Sequence, residues 1–242
     1  INKANFVWIA SLNLTIPQSK LLAFPNIESS TYDYFYEIGK PLELRKVYTS
    51  EGVDPSTGIY QFKDTDSNGT LDIKDRKGVL VGQDFYGGFS NNIQYKGFQF
   101  DMHVQFVKQH GNAIENSISS VPGFSSNQPT HILHRWQSIG EDSSVQRFTG
   151  NFSPAAIAFY NWMSSESSIV DTSFLRFKNI SLTYTSPEFL VQDLGLKSAK
   201  LFVRGTNIFT LTSYKGLDPE TSSSGMVLPP LKSITTGIAL TF

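Results

Sequence analysis

Cysteine is absent from the 242 residues, so neither a disulfide framework nor a thiolate metal site can organise this chain. Long apolar runs are missing too, and nothing approaches the roughly eighteen residues that a membrane-spanning helix needs. Charge is scarce: 17% of residues are Asp, Glu, Lys or Arg, and the formal net charge is −1. With no basic stripe, electrostatic capture of nucleic acid lacks a basis. The first residues carry no basic segment followed by an apolar one, as a secretory leader would, so the chain is expected to be a processed product or a piece of something longer. What the chain has in quantity is aromatic residues, at 13%. For an all-β chain of this length one domain, spanning residues 1–242, is the default.

Period-two alternation is the dominant pattern. From Asn5 to Ile16, the residues Phe6, Trp8, Ala10, Leu12, Leu14 and Ile16 share one side of an extended strand. The residues Phe98, Phe100, Met102, Val104 and Phe106 alternate with Gln99, Asp101, His103 and Gln105 in the cleanest two-faced segment of the chain. The tight turn Tyr95-Lys96-Gly97 joins that segment to the run 85–95. Further strands are expected near 34–48, 174–184, 199–211 and 231–242, about seven in all, with a short helix-like piece near 129–137. In the last run, Ile234, Thr236, Ile238, Leu240 and Phe242 oppose Thr235, Gly237, Ala239 and Thr241. An apolar side backed by a small and polar side suits a wall between lipid and a wet lumen. Leu12, Leu14, Phe100, Val104, Leu182, Ile238 and Leu240 are then expected to face lipid, and Gln99, Asp101, His103 and Gln105 to face the lumen.

Long polar loops are expected near 50–83, 111–168 and 212–230, all on one side, with shorter turns on the other. That asymmetry, with Tyr95, Phe98, Tyr184 and Phe242 near the short-turn interface, matches outer-membrane barrels with long extracellular loops. Seven strands alone would leave unpaired backbone groups in hydrocarbon, so the fold class expected is all-β, the C-terminal part of a larger antiparallel transmembrane barrel.

Ordered short motifs point to a family. They include Gly52-Val53-Asp54-Pro55-Ser56-Thr57-Gly58, Gly87-Gly88-Phe89-Ser90-Asn91, Tyr95-Lys96-Gly97-Phe98, Phe174-Leu175-Arg176-Phe177-Lys178-Asn179, Asn207-Ile208-Phe209-Thr210 and Tyr214-Lys215-Gly216-Leu217-Asp218-Pro219-Glu220. Their order from about residue 37 onward resembles the end of SusC/RagA-type TonB-dependent outer-membrane transporters of Bacteroidetes. The resemblance implies a barrel of about 22 strands with a plug and a TonB-contacting segment lying N-terminal to this chain. It also implies a SusD-like surface lipoprotein as partner, glycans or oligopeptides as cargo, residence in the bacterial outer membrane and no enzymatic activity. By the same resemblance Phe242 is the terminal aromatic residue read as an assembly signal.

One segment carries explicit site chemistry. Asp64, Asp66, Asn68, Thr70, Asp72 and Asp75, with Gly69 at the sharp turn, have the spacing of a twelve-residue calcium loop. Hard oxygen ligands at those positions favour Ca²⁺. The loop departs from the usual pattern in ending on Asp75 rather than a longer Glu, and a turn rich in Asp, Asn and Gly also stabilises itself through side-chain to backbone hydrogen bonds. His131 and His134 stand one helical turn apart, without a third ligand nearby in sequence. A soluble β-rich calcium-binding adhesion or carbohydrate-binding module would use the same strands, aromatics and acidic loop. The two readings differ in whether the apolar strand faces point outward or onto a shared core.

Overall fold

The computed structural model describes residues 1–3, 5–115, 120–222 and 227–242. Thirteen strands form among them: β1 (Asn2–Lys3), β2 (Phe6–Thr15), β3 (Leu44–Tyr48), β4 (Ser50–Val53), β5 (Tyr60–Phe62), β6 (Arg76–Leu80), β7 (Gly82–Tyr95), β8 (Phe98–Asn112), β9 (Ile169–Asp171), β10 (Phe174–Thr185), β11 (Ser198–Thr206), β12 (Thr210–Thr212) and β13 (Ser233–Thr241). The α-helix α1 (Pro154–Met163) lies between β8 and β9.

One antiparallel sheet dominates, with the path β1-β2-β7-β8-β10-β11-β13 and the short β9 and β12 added to β8 and β10. It is open at both ends of that path. The β7–β8 hairpin closes at Lys96 and Gly97, whose φ values of 46° and 85° place both in the left-handed region of a type I′ turn. Further along the sheet, the register of β10 against β8 slips at Lys178. Opposite that bulge, Asn207 takes a φ of 51°, its N–H donates to the Lys178 carbonyl, and the expected 199–211 run is thereby split into β11 and β12.

The path holds seven strands, but not the seven read from the sequence. The stretch 34–48 does not join the wall, because β2 pairs directly with β7 from Phe6↔Tyr95 to Thr15↔Tyr86. Its last part, β3, pairs instead with β6 in a separate two-stranded sheet. Alternation in 34–48 is weak, and a wall strand needs two consistent faces. The whole of 16–81 is consequently one connection at the same end of the sheet as 113–173 and 213–232.

The first two of these connections pack into a unit of their own. Tyr60, Val121, Ala156, Ala158 and Phe159 are buried together, with Ile59, Phe62 and Trp162 against them. The Trp162 ring stacks on Tyr60 at 5.7 Å and on Phe159 at 5.9 Å. Backbone bonds from Tyr48 to Ser164 (3.0 Å) and from Arg147 to Gly58 (2.8 Å) tie the two connections together. Helix α1 starts where Ser153 caps the Ala156 N–H and Pro154 supplies a preset φ. The helix-like piece expected near 129–137 is a single 3-10 stretch, Thr130–His134.

Candidate functional site: a two-faced wall and an acidic loop

Directly paired residues of an antiparallel sheet share a face, so the register sorts the wall into two surfaces. On one, Trp8, Ile93, Phe100, Leu182, Val203 and Thr236 stand in a lateral row across six strands. Leu12, Leu14, Leu240 and Ile238 lie on the same surface and are exposed, Leu12 at 69% and Ile238 at 70%. Val104 shares it but is buried beneath its neighbours. None of these side chains belongs to the buried cluster of the loops. Asn91, a polar residue on this surface, has its amide oxygen covered by the Trp8 indole N–H at 2.7 Å. At the short-turn end, Phe98 packs on Tyr184 at 4.6 Å and Phe6 on Tyr95 at 6.5 Å.

The opposite surface is polar and concave. Ile9, Asn92, Asp101, Ser181, Arg204 and Thr235 form one row, and Ser11, Ser90, His103, Asn179, Thr206 and Ser233 the next. Members of both rows line a depression of about 440 Å³. Asp101 accepts hydrogen bonds from the side chains of Asn92 (2.5 Å), Gln99 (2.9 Å) and Ser181 (3.3 Å). His103 bonds Ser90 at 2.9 Å, and Gln105 follows on the same side. The four residues Gln99, Asp101, His103 and Gln105 are thus brought onto one polar surface, where Asp101 and His103 are tied to neighbouring strands by their own side chains.

The acidic loop gathers part of its expected ligand set. Carboxylate oxygens of Asp64, Asp66 and Asp75 lie within 4.8 Å of one another. Among the described residues, the ion pairs of the chain involve none of these three carboxylates. Asp75 is buried, and its oxygens accept the Thr65 N–H (2.6 Å) and the Asp72 N–H (2.8 Å). The N–H of Asp72 and then that of Thr65 hold the Asp75 carboxyl below the usual carboxylate range. Asp64 accepts from Gly69 (2.7 Å), while Asn68 turns its oxygen to Thr70 (2.7 Å) and Asp72 caps the Lys74 N–H (2.7 Å). Asp64, Asp66 and Asp75 fit a hard cation, since each carboxylate oxygen keeps a second lone pair and three like charges stand together. The Asn68 and Asp72 side chains, like those of Asp64 and Asp75, also accept backbone N–H groups of the turn. His131 meets a carboxylate after all, Glu115 at 3.2 Å, brought from sixteen residues upstream by the fold.

No family model matches the sequence. The chain is 31% identical over 171 residues to the TonB-dependent receptor P3 of Formosa agariphila, a match covering 69% of this chain and 16% of that protein. It is 23% identical to the TonB-dependent receptor SusC of Bacteroides thetaiotaomicron, over 98% of this chain and 25% of the relative. A solved structure of the RagAB peptide transporter superposes with a TM-score of 0.76 at 21% identity, over 100% of this chain and 28% of that one. The chain belongs to the SusC/RagA-type TonB-dependent transporters. It spans between 16% and 25% of the length of the curated relatives it matches. Relatives of this SusC/RagA-type wall are receptors and transporters, not enzymes.

The SusC/RagA-type segment also holds a cluster that sequence reasoning passed over. Arg176, 1% exposed on the polar surface, donates to Asp218 (2.6 Å), Glu220 (2.7 Å) and the Thr210 hydroxyl (2.8 Å), and its guanidinium lies over Phe174. Gln109, also buried there, donates to the Pro219 carbonyl at 2.8 Å. Arg176 and Asp218 both sit in quoted family motifs, but 42 residues separate them and only the register brings them together. An arginine at a polar alternation position of a strand was the available signal.

Proposed function

We propose that this chain forms part of the barrel wall of an outer-membrane, TonB-dependent importer of large nutrients, glycans or oligopeptides, that works with a SusD-like surface lipoprotein. The observation that carries this reading is the wall itself, whose apolar surface is exposed across six strands while the opposite surface is polar and concave. Water penalises such a surface and hydrocarbon does not. The six long strands run 9 to 15 residues, enough to cross a bilayer at a tilt. A soluble adhesion module would turn the same apolar side chains onto a common core. In the proposed frame the three long connections face the outside, the polar surface lines the lumen, and Phe242, 77% exposed after β13, serves as the assembly signal.

The acidic loop adds a structural cation in this reading. Asp64, Asp66 and Asp75, with Asn68, the Thr70 carbonyl and Asp72 completing the set, hold one Ca²⁺ beside β6 and stiffen the connection between β2 and β7. A calcium ion would supply charge neutralisation and cross-linking there, not chemistry on a cargo. The test of the function is uptake by cells carrying the full-length gene: import of labelled glycans or oligopeptides that stops when TonB is deleted supports it. Equal uptake with and without TonB would rule it out.

A further inference from the structure

The connection after β12 does not stand free of the wall. Its first stretch, 213–222, lies over the polar surface at the loop end of β8 and β10, where Phe174, Arg176 and Gln109 sit. The fixings are internal and mutually dependent. Asp218 is 4% exposed and Arg176 1% exposed, so the turn excludes water from an ion pair that an open lumen would solvate. Glu220 bridges Arg176 and Lys178 and remains half-exposed. The Asp218 carboxylate also caps the Glu220 N–H at 2.8 Å, so the group clamped by Arg176 is the one that shapes the turn. Nearer β12, the Thr212 hydroxyl donates to the Ser173 carbonyl at 2.7 Å and accepts the Tyr214 N–H at 3.1 Å. Burial, with Glu115 and Asp218 close by, pushes the Tyr214 phenol above its ordinary pKa.

A buried arginine–carboxylate pair adds little net stability over an apolar replacement, but it fixes one arrangement, since each partner alone is a costly buried charge. We propose that segment 213–222 is an inward-folded constriction of the transport path, and that Arg176, Asp218 and Glu220 set the size of what passes. This rests on the reading of the polar surface as the lumen. Arg176 is then a positioning residue that acts through the loop: 1% exposed and bonded to Asp218, Glu220 and Thr210, it is withheld from cargo.

The experiment uses the full-length transporter in outer membranes, with a reporter Asn179→Cys on the polar surface below the segment, seen from the loop end. It is labelled from outside with N-ethylmaleimide and, separately, with a bulky poly(ethylene glycol)-maleimide. In the parent the small reagent should react and the bulky one lag. In Arg176→Ala the small reagent should react at the same rate, and the bulky one about tenfold faster, because losing one partner of a buried pair releases the other. Hydrogen exchange over 213–222 should accelerate in the same variant while that of β8 does not. Equal rates of bulky labelling in both backgrounds would overturn the constriction. Failure of even N-ethylmaleimide to reach the reporter thiol in the parent would overturn the lumen reading and the constriction with it. Should Arg176→Ala not assemble, the pair Asp218→Asn and Glu220→Gln weakens the clamp while leaving Arg176 its hydrogen-bond acceptors, and is judged by the same two rates.

Discussion

At the scale of single residues the wall covers polar atoms on its apolar surface, as the proposed lipid contact requires. Trp8 is the example: on an apolar surface its indole N–H covers the Asn91 amide oxygen, which in the proposed frame would otherwise meet hydrocarbon. Trp8→Phe keeps an aromatic ring and removes the donor. It should lower stability in bilayers by about 1–3 kcal/mol, read from urea unfolding of the full-length barrel, and an unchanged midpoint would show that the bond is idle. In the acidic loop, Asp64→Ala with Asp66→Ala removes two of three converging carboxylates. Calorimetry should then lose calcium binding while the barrel persists, and identical heats for both proteins would remove the site. Asp75 adds a pH dependence whose sign follows from its lowered pKa. A carboxyl with a folded-state pKa below its unfolded value stabilises above the ordinary range near pH 4, and that contribution is lost as pH falls through the lowered value. Asp75→Asn should speed trypsin cleavage after Lys74 at about pH 7.5, where the carboxylate is fully ionised, read by mass spectrometry of the fragments, and an unchanged cleavage rate would deny the carboxylate its role.

Among the elements, strands with strict alternation are legible in the sequence and those shaped by long-range packing are not. β8 announces itself because it keeps one apolar and one polar side, and β2 and β13 because one side of each is almost wholly apolar; β10 alternates on either side of its bulge at Lys178. β3 looks like part of a wall strand in sequence, yet its place depends on β6 about thirty residues later rather than on its own pattern. α1 escapes the sequence pattern although Ser153, Pro154 and the alanine-rich stretch after them are helix-start signals; Ile157 and Tyr160 stay exposed while Phe159 is buried, so no clean amphipathic stripe marks it. Phe159→Ala should cost the loop unit about 3–5 kcal/mol, visible as local hydrogen exchange in 44–80 and 153–163 with the wall strands unaffected. Equal protection in variant and parent would mean the unit has no common core. On β13 the two faces separate cleanly: Ile238→Arg, near the middle of the strand, should cost up to about 2–4 kcal/mol in the bilayer interior, against little for Ala239→Ser on the other side. Equal losses in a bilayer-folding assay would sink the assignment of faces.

Taken whole, the molecule inverts the soluble plan: its wall shows apolar side chains outward and its buried apolar cluster lies in the connections. The faces are readable because period two is local. The clamp at Arg176 is not, because it joins a wall strand to a connection that reaches it only when the sheet is in register. The open edges of β2 and β13 carry unpaired backbone groups that hydrocarbon cannot satisfy, so these six long strands need further strands beside them. The central claim is that one surface of this sheet meets lipid and the other water. Cysteine scanning from Phe98 to Phe106 in the full-length protein in its membrane, with a spin label read for contact with oxygen in lipid and with a water-soluble relaxant, tests it most directly. Lipid contact at 98, 100, 102 and 106 alternating with water contact at 99, 101, 103 and 105 is the result expected. Water contact at both sets, or the opposite phase, would contradict it.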